Sequence, residues 1–88
     1  MSANGSCGQE LILRVRVAGG DPDYLELELP PTSLTLESLL MVACQELGLE
    51  AASVERVRKM PDTRLRRDCE VARLQDYQAI ELVLKQQI

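Results

Sequence analysis

The side chains that carry most enzyme chemistry are sparse in this sequence of 88 residues, which contains no His. Without His the commonest general base is missing, and with it the Ser-His and Cys-His nucleophile pairs and most zinc sites. The three cysteines, Cys7, Cys44 and Cys69, are separated by 37 and 25 residues, which fits no metal motif. Their odd number suits a reduced, intracellular chain. Cys44 falls inside a helical apolar pattern and is expected as a core thiol. Cys69 lies beside Arg67, Asp68 and Glu70; the arginine would lower its pKa, and the two acids oppose that. Glu26 and Glu28 share a face without a companion pocket, so no acid/base carboxylate pair is recognisable. Gly19-Gly20 reads as a turn rather than a phosphate loop. The sequence therefore points to no catalytic residue, no cofactor and no metal site.

What remains is charge. The formal net charge is −4, yet it is unevenly placed. Residues 21–50 carry Asp21, Asp23, Glu26, Glu28, Glu37, Glu46 and Glu50 with no base, a local charge of −7. Residues 56–67 carry Arg56, Arg58, Lys59, Arg64, Arg66 and Arg67 against Asp62, a local charge of +5. A basic cluster in an acidic chain suits an acidic protein partner. Nucleic acid is not expected as a partner, because the whole chain is acidic and there are two Tyr and no Phe or Trp to stack bases. No run approaches the ~18–20 apolar residues of a membrane span, and the first eight residues have neither the basic region nor the apolar core of a secretory signal. The expectation is an intracellular chain, cytoplasmic or nuclear, acting as a monomer with no membrane partner.

The elements that would position these charges follow from periodicity. The composition, 45% apolar and 27% charged, is that of a folded globular chain too short for two domains. Leu11, Leu13, Val15 and Val17 alternate with Ile12, Arg14 and Arg16, the period of a half-buried strand. Residues 18–23 are turn formers, and Leu25, Leu27 and Leu29 alternate again, which completes a hairpin. Pro30-Pro31 ends that strand. Thr35 is an expected N-cap, and Leu36, Leu39, Leu40, Ala43 and Leu47 recur at helical spacing as far as Gly48, giving a helix at about residues 36–47. A short strand is expected at 56–60, a brief one at 64–66, and a loop from Arg67 anchored by Val71, Leu74 and Tyr77, with the Tyr77 hydroxyl bonded to backbone. Residues 79–85 form the closing strand. One helix covers one face of the sheet, so the other face should be wet. Residues 1–9 are expected as a disordered N-terminal tail, 10–85 as the domain, and 86–88 as a short C-terminal tail.

This order resembles the ubiquitin-like β-grasp family. Leu74-Gln75-Asp76-Tyr77 is similar to the segment before ubiquitin's last strand, Glu81-Leu82-Val83-Leu84-Lys85 to that strand, and Thr35-Leu36-Glu37-Ser38-Leu39 to the start of its helix. Longer segments resemble the C-terminal region of the ankyrin repeat domain-containing protein 40 family: residues 10–16, Gln45-Glu46-Leu47-Gly48, Val54 through Pro61, and Leu65 through Asp76. The resemblance implies an α+β fold with a mixed four- to five-stranded sheet in the order 2-1-5-3-4, packed on one helix, and implies no enzymatic activity. The sequence departs from ubiquitin where ubiquitin works. It ends Lys85-Gln86-Gln87-Ile88 rather than in Gly-Gly, so a conjugated modifier is not expected, and Arg58 and Val83 occupy two positions of the apolar receptor patch. The acidic motif of PB1 domains is not evident, so PB1-type pairing is not expected.

In that strand order the outward residues form columns: Glu26 and Glu28, Arg14 and Arg16, Glu81 and Val83, Arg56 and Arg58. Two readings stay open. In one, these charges satisfy each other across strands, the cluster at Lys59, Arg64, Arg66 and Arg67 is a solvated edge, and the chain is a structural or vestigial fragment without a dedicated partner. In the other, Arg14, Arg16, Arg58, Arg64, Arg66 and Arg67 dock an acidic segment of an unidentified protein, in a manner of which Ras-association-like recognition is one variant.

Overall fold

A computed structural model describes residues 10–85; the expected tails at 1–9 and 86–88 lie outside the described residues. The strands are β1 (Leu11–Val17), β2 (Leu25–Leu29), β3 (Val54–Lys59), β4 (Thr63–Leu65) and β5 (Gln78–Leu84), and the helices are α1 (Leu36–Leu47) and α2 (Asp68–Ala72). A single 3-10 turn over Ala51–Ser53 leads into β3. The sheet has the order β2-β1-β5-β3-β4. β1 pairs antiparallel with β2 and parallel with β5, and β3 pairs antiparallel with both β5 and β4. This mixed five-stranded sheet on one main helix is the β-grasp arrangement.

The alternation of β1 and β2 puts Leu13, Val15, Leu27 and Leu29 on the helix side, where they meet Leu39, Ala43 and Cys44 of α1 and Ile80 and Leu82 of β5. Leu13, Leu29, Leu39, Ile80 and Leu82 are fully buried. With no large aromatic in the core, close packing of these branched aliphatics carries the hydrophobic stabilisation. Burial pushes the Cys44 thiol pKa up, as expected of a core thiol in apolar surroundings.

Helix α1 begins and ends where the sequence signals place it. The Thr35 hydroxyl accepts from the Ser38 N–H at 3.1 Å, and Gly48 takes the left-handed conformation (φ 71°) that a C′ glycine allows. A second cap comes from across the fold: Asp68 Oδ1 accepts from the Leu36 N–H at 2.9 Å.

Three expectations need correction. The region after Arg67 is a short helix, α2, rather than a loop. Glu70 explains it: its carboxylate accepts from the Arg66 and Arg67 N–H groups at 2.7 and 3.1 Å, closing the helix start, while Val71 is fully buried. Tyr77 does not anchor through its hydroxyl: the residue is 53% exposed, and among the described residues its hydroxyl makes no hydrogen bond to backbone. The anchoring falls to backbone and a neighbour: the Tyr77 N–H donates to the Ile12 carbonyl at 2.6 Å, and Asp76 Oδ1 accepts from the Ile12 N–H at 3.1 Å. The strand bounds also shift, with β3 at 54–59, β4 at 63–65 and β5 at 78–84 in place of 56–60, 64–66 and 79–85. The early start of β3 comes with a bulge at Glu55, where the pairing with β5 slips by one residue between Val54 and Arg56.

Candidate functional site

The outward columns form as the alternation requires. Arg14 faces Glu26 across β1 and β2, and Glu81 in β5 is the partner of Arg16 on one side and Arg58 on the other. Glu81 is therefore the centre of a clamp. Arg16 places Nη2 at 2.8 Å and Nε at 2.9 Å from Oε2, while Arg58 Nη2 lies 2.9 Å from Oε1. The bond from Arg58 is the largest influence holding the Glu81 carboxyl below the usual carboxylate range; burial opposes it and Arg16 reinforces it. Arg16 is further committed through Nη1 to the Pro22 carbonyl at 2.9 Å and over the Tyr24 ring at 4.4 Å. Arg58 also reaches Asp62 at 3.6 Å, and its Nε is buried without a partner.

The sheet face expected to be wet is thus dry at its middle, with Glu81 only 5% exposed. Sequence alternation identified the face but not the shielding, because two long guanidinium side chains from flanking strands lie over one carboxylate.

The other arginines are placed differently. Arg14 is exposed, with its guanidinium 5.5 Å from the centre of the Tyr77 ring. Arg64 is the β4 partner of Arg58 and points out of the same face. That juxtaposes two like charges, a cross-strand pair that costs free energy unless an anion lies nearby. Arg66 and Arg67 follow β4 at the start of α2. Arg64, Arg66 and Arg67 are exposed, and among the described residues none has an ion pair within 4 Å. Glu70 lies near Arg66 and Arg67 but is occupied by their backbone N–H groups, which with the adjacent guanidinium charges hold its pKa down.

Arg14, Arg16, Arg58 and Arg64 therefore share the open face, while Arg66 and Arg67 lie at its β4 end. The structure adds Arg56 and three leucines to the site. A groove of about 240 Å³ runs between the N-terminal half of α1 and β3–β4, with Leu36, Leu40 and Leu65 in its lining, Arg56, Arg64 and Arg66 beside them, and Glu55 as its one acid. Leu36 and Leu40 are one turn apart, so their shared helix face was legible; that it would border the arginines depends on β4 being too short to cover β3. Arg56 reaches Glu55 at 3.4 Å, a pair exposed on both sides. Among the described residues there is no group of three or more His, Cys, Asp or Glu placed to hold a metal, and no helix long and apolar enough to cross a membrane.

Comparison with known proteins gives a consistent answer. The family model of the ANKRD40 ubiquitin-like domain matches residues 13–85. Ankyrin repeat domain-containing protein 40 of Mus musculus is 49% identical over 79 residues, which are 86% of this chain and 22% of that protein; the Homo sapiens protein gives the same values. The ANKRD40 C-terminal-like protein of Homo sapiens is 45% identical over 62 residues, 70% of this chain and 54% of that protein. The chain thus spans a minor part of the first two relatives and about half of the third. Among solved structures, Caldiarchaeum subterraneum ubiquitin superposes with a TM-score of 0.68 at 18% identity, covering 90% of this chain and 98% of that one. The C-terminal ubiquitin-like domain of mouse tubulin-specific chaperone e gives 0.67 at 18% identity, covering 99% and 98%. At such identity these two structures speak to the fold alone.

Proposed function

This chain belongs to the ANKRD40 ubiquitin-like domain family, and from that premise we propose that it is a non-catalytic interaction module that docks an acidic segment of another protein. The observation that carries the reading is the set of exposed arginines at the β4 edge, Arg64, Arg66 and Arg67, which no carboxylate of the described residues neutralises through a close ion pair. Arg58, beside Arg64, joins them through the charge it shares with Glu81, and Arg14 extends the site along the face. Arg16 contributes mainly by fixing Glu81, since its guanidinium is already bonded on two sides and stacked on Tyr24.

Recognition on this reading is electrostatic steering followed by a few charge-assisted hydrogen bonds from guanidinium groups to carboxylates. Exposed charges are screened within about 8–10 Å at ordinary salt, so affinity falls as salt rises. The free thiols at Cys44 and Cys69 suit an intracellular setting, cytoplasmic or nuclear.

The test is crosslinking mass spectrometry of the tagged protein in cells, run in parallel with the Arg64→Glu/Arg66→Glu variant. Crosslinks from the β4 edge to an acidic segment of a second protein, lost in the variant, are the expected result. Unchanged capture by the variant would remove the site assignment.

A further inference from the structure

The two flanks of the sheet carry opposite charge. At one edge lies the basic groove already described, beside β3 and β4 and the N-terminal half of α1. At the other edge lies β2, which no strand of the described residues covers on its outer side. Leu25, at the start of β2, is an apolar side chain left 42% exposed. Close to it in sequence are the exposed acids Asp23, two residues before, and Glu26, directly after. Across a hollow of about 320 Å³ from Leu25 and Asp23 stands Glu46, near the C-terminal end of α1, with Asp21 on the same rim. Arg16 also touches this hollow, but its charge is spent on Glu81.

We propose that the basic groove accepts the β2 edge of a second copy of this chain, with Leu25 entering between Leu36, Leu40 and Leu65, and with Asp23 and Glu26 meeting Arg64 and Arg66. The inference rests on the reading of the basic edge as an acidic-segment site and names the segment. Residues 23–26, Asp-Tyr-Leu-Glu, are an apolar anchor flanked by carboxylates, which is the chemistry the groove is lined to receive. Charge complementarity fixes the pairing: the acidic flank repels another acidic flank, and the basic flank another basic one.

The bulge at Glu55 distorts the edge of β3 that β4 leaves uncovered, so the contact is made by side chains rather than by strand addition. Asp21 and Asp23 come from the hairpin and Glu46 from α1, so the acidic stretch at 21–50 becomes one surface only through the fold.

The two surfaces lie on opposite edges of the sheet and towards opposite ends of α1, so the contact is head-to-tail. Such a contact leaves a free basic groove at one end of each pair and a free β2 edge at the other, and growth continues past the dimer. One apolar anchor ringed by exposed ion pairs is a small interface. The association is therefore weak, salt-sensitive and visible at high concentration, while dilute protein is the expected monomer.

Sedimentation equilibrium on the 88-residue chain tests this, from about 10 µM to about 1 mM in roughly 50 mM salt and again in roughly 500 mM. Two variants are needed: Arg64→Glu/Arg66→Glu to spoil the groove, and Asp23→Asn/Leu25→Ala to spoil the anchor. All four positions are exposed, and a thermal melt of each variant confirms its fold. The wild type is expected to exceed dimer mass at high concentration in low salt and to fall back in high salt. Each variant alone stays monomeric, and an equimolar mixture of the two forms a dimer and nothing larger, because only one intact groove and one intact anchor can meet. A wild type that is monomeric throughout, or a mixture that stays monomeric, overturns the inference. Binding of a fluorescent Glu-rich peptide that is lost in Arg64→Glu/Arg66→Glu would then still uphold the acidic-segment site, so the two readings fail separately.

Discussion

Replacing Glu81 by Gln is the sharpest perturbation the fold offers, since it removes one charge and leaves two arginines facing each other. Glu81 receives charge-assisted bonds from Arg16 and Arg58, each near 2.9 Å, in a position 5% exposed. Hydrogen bonds to charged groups contribute about 1.5–3 kcal/mol each, so the gross loss is about 3–6 kcal/mol. Both arginine side chains are 28% exposed and can turn towards water, and Gln keeps one acceptor, which brings the expected cost to about 2–4 kcal/mol. For a domain of this size that is a fall in melting temperature of about 10–30 °C. Chemical denaturation followed by circular dichroism reads the same quantity. The triple replacement Arg16→Met/Arg58→Met/Glu81→Leu should recover most of the loss, since apolar groups of similar volume replace a buried ion cluster at little cost. A Glu81→Gln variant within about 0.5 kcal/mol of wild type would refute the clamp, because that is the value of an ordinary surface pair.

Further outcomes follow from the same geometry. Because Glu81 titrates below its unfolded value in the native state, its contribution is fully present above the unfolded carboxyl pKa of about 4.3 and is lost as pH falls through the lower folded value; urea midpoints between about pH 3 and pH 6 should show a slope that Glu81→Gln flattens. Leu82→Ala, at a fully buried position, should cost about 3–5 kcal/mol by calorimetry. Thr35→Ala removes the N-cap acceptor for the Ser38 N–H and should cost about 1 kcal/mol in the same assay. Gly48→Ala meets no steric neighbour but must hold φ 71°, so it should cost about 1–2 kcal/mol through backbone strain alone.

The hairpin, α1 and the closing strand were legible because each obeys a local rule: period two at Leu11–Val17 and Leu25–Leu29, period 3.6 from Leu36 to Leu47, and cap residues at Thr35 and Gly48. The outward columns followed from the strand order, and the structure places Arg14 with Glu26 and Arg16 with Glu81 as those columns require. Helix α2 escaped because five residues carry too little periodicity, and its stabilising bonds run from Glu70 back to the Arg66 and Arg67 amides. Tyr77 was misplaced because an aromatic before a strand suggests an anchor, whereas here the backbone and Asp76 hold the segment. The burial of Glu81 and the exposure of Leu25 are both tertiary outcomes. One depends on two arginines reaching inward from neighbouring strands, the other on β2 being the edge strand among the described residues.

The basic edge itself is tested most directly by fluorescence anisotropy of a short Glu-rich peptide titrated with the wild type and with Arg64→Glu/Arg66→Glu, at about 50 and about 300 mM salt. Saturable binding by the wild type that weakens with salt is expected, with at least about tenfold weaker binding by the variant, or about 1.4 kcal/mol. Equal affinity for the two proteins, or wild-type binding indifferent to salt, would contradict the acidic-segment site.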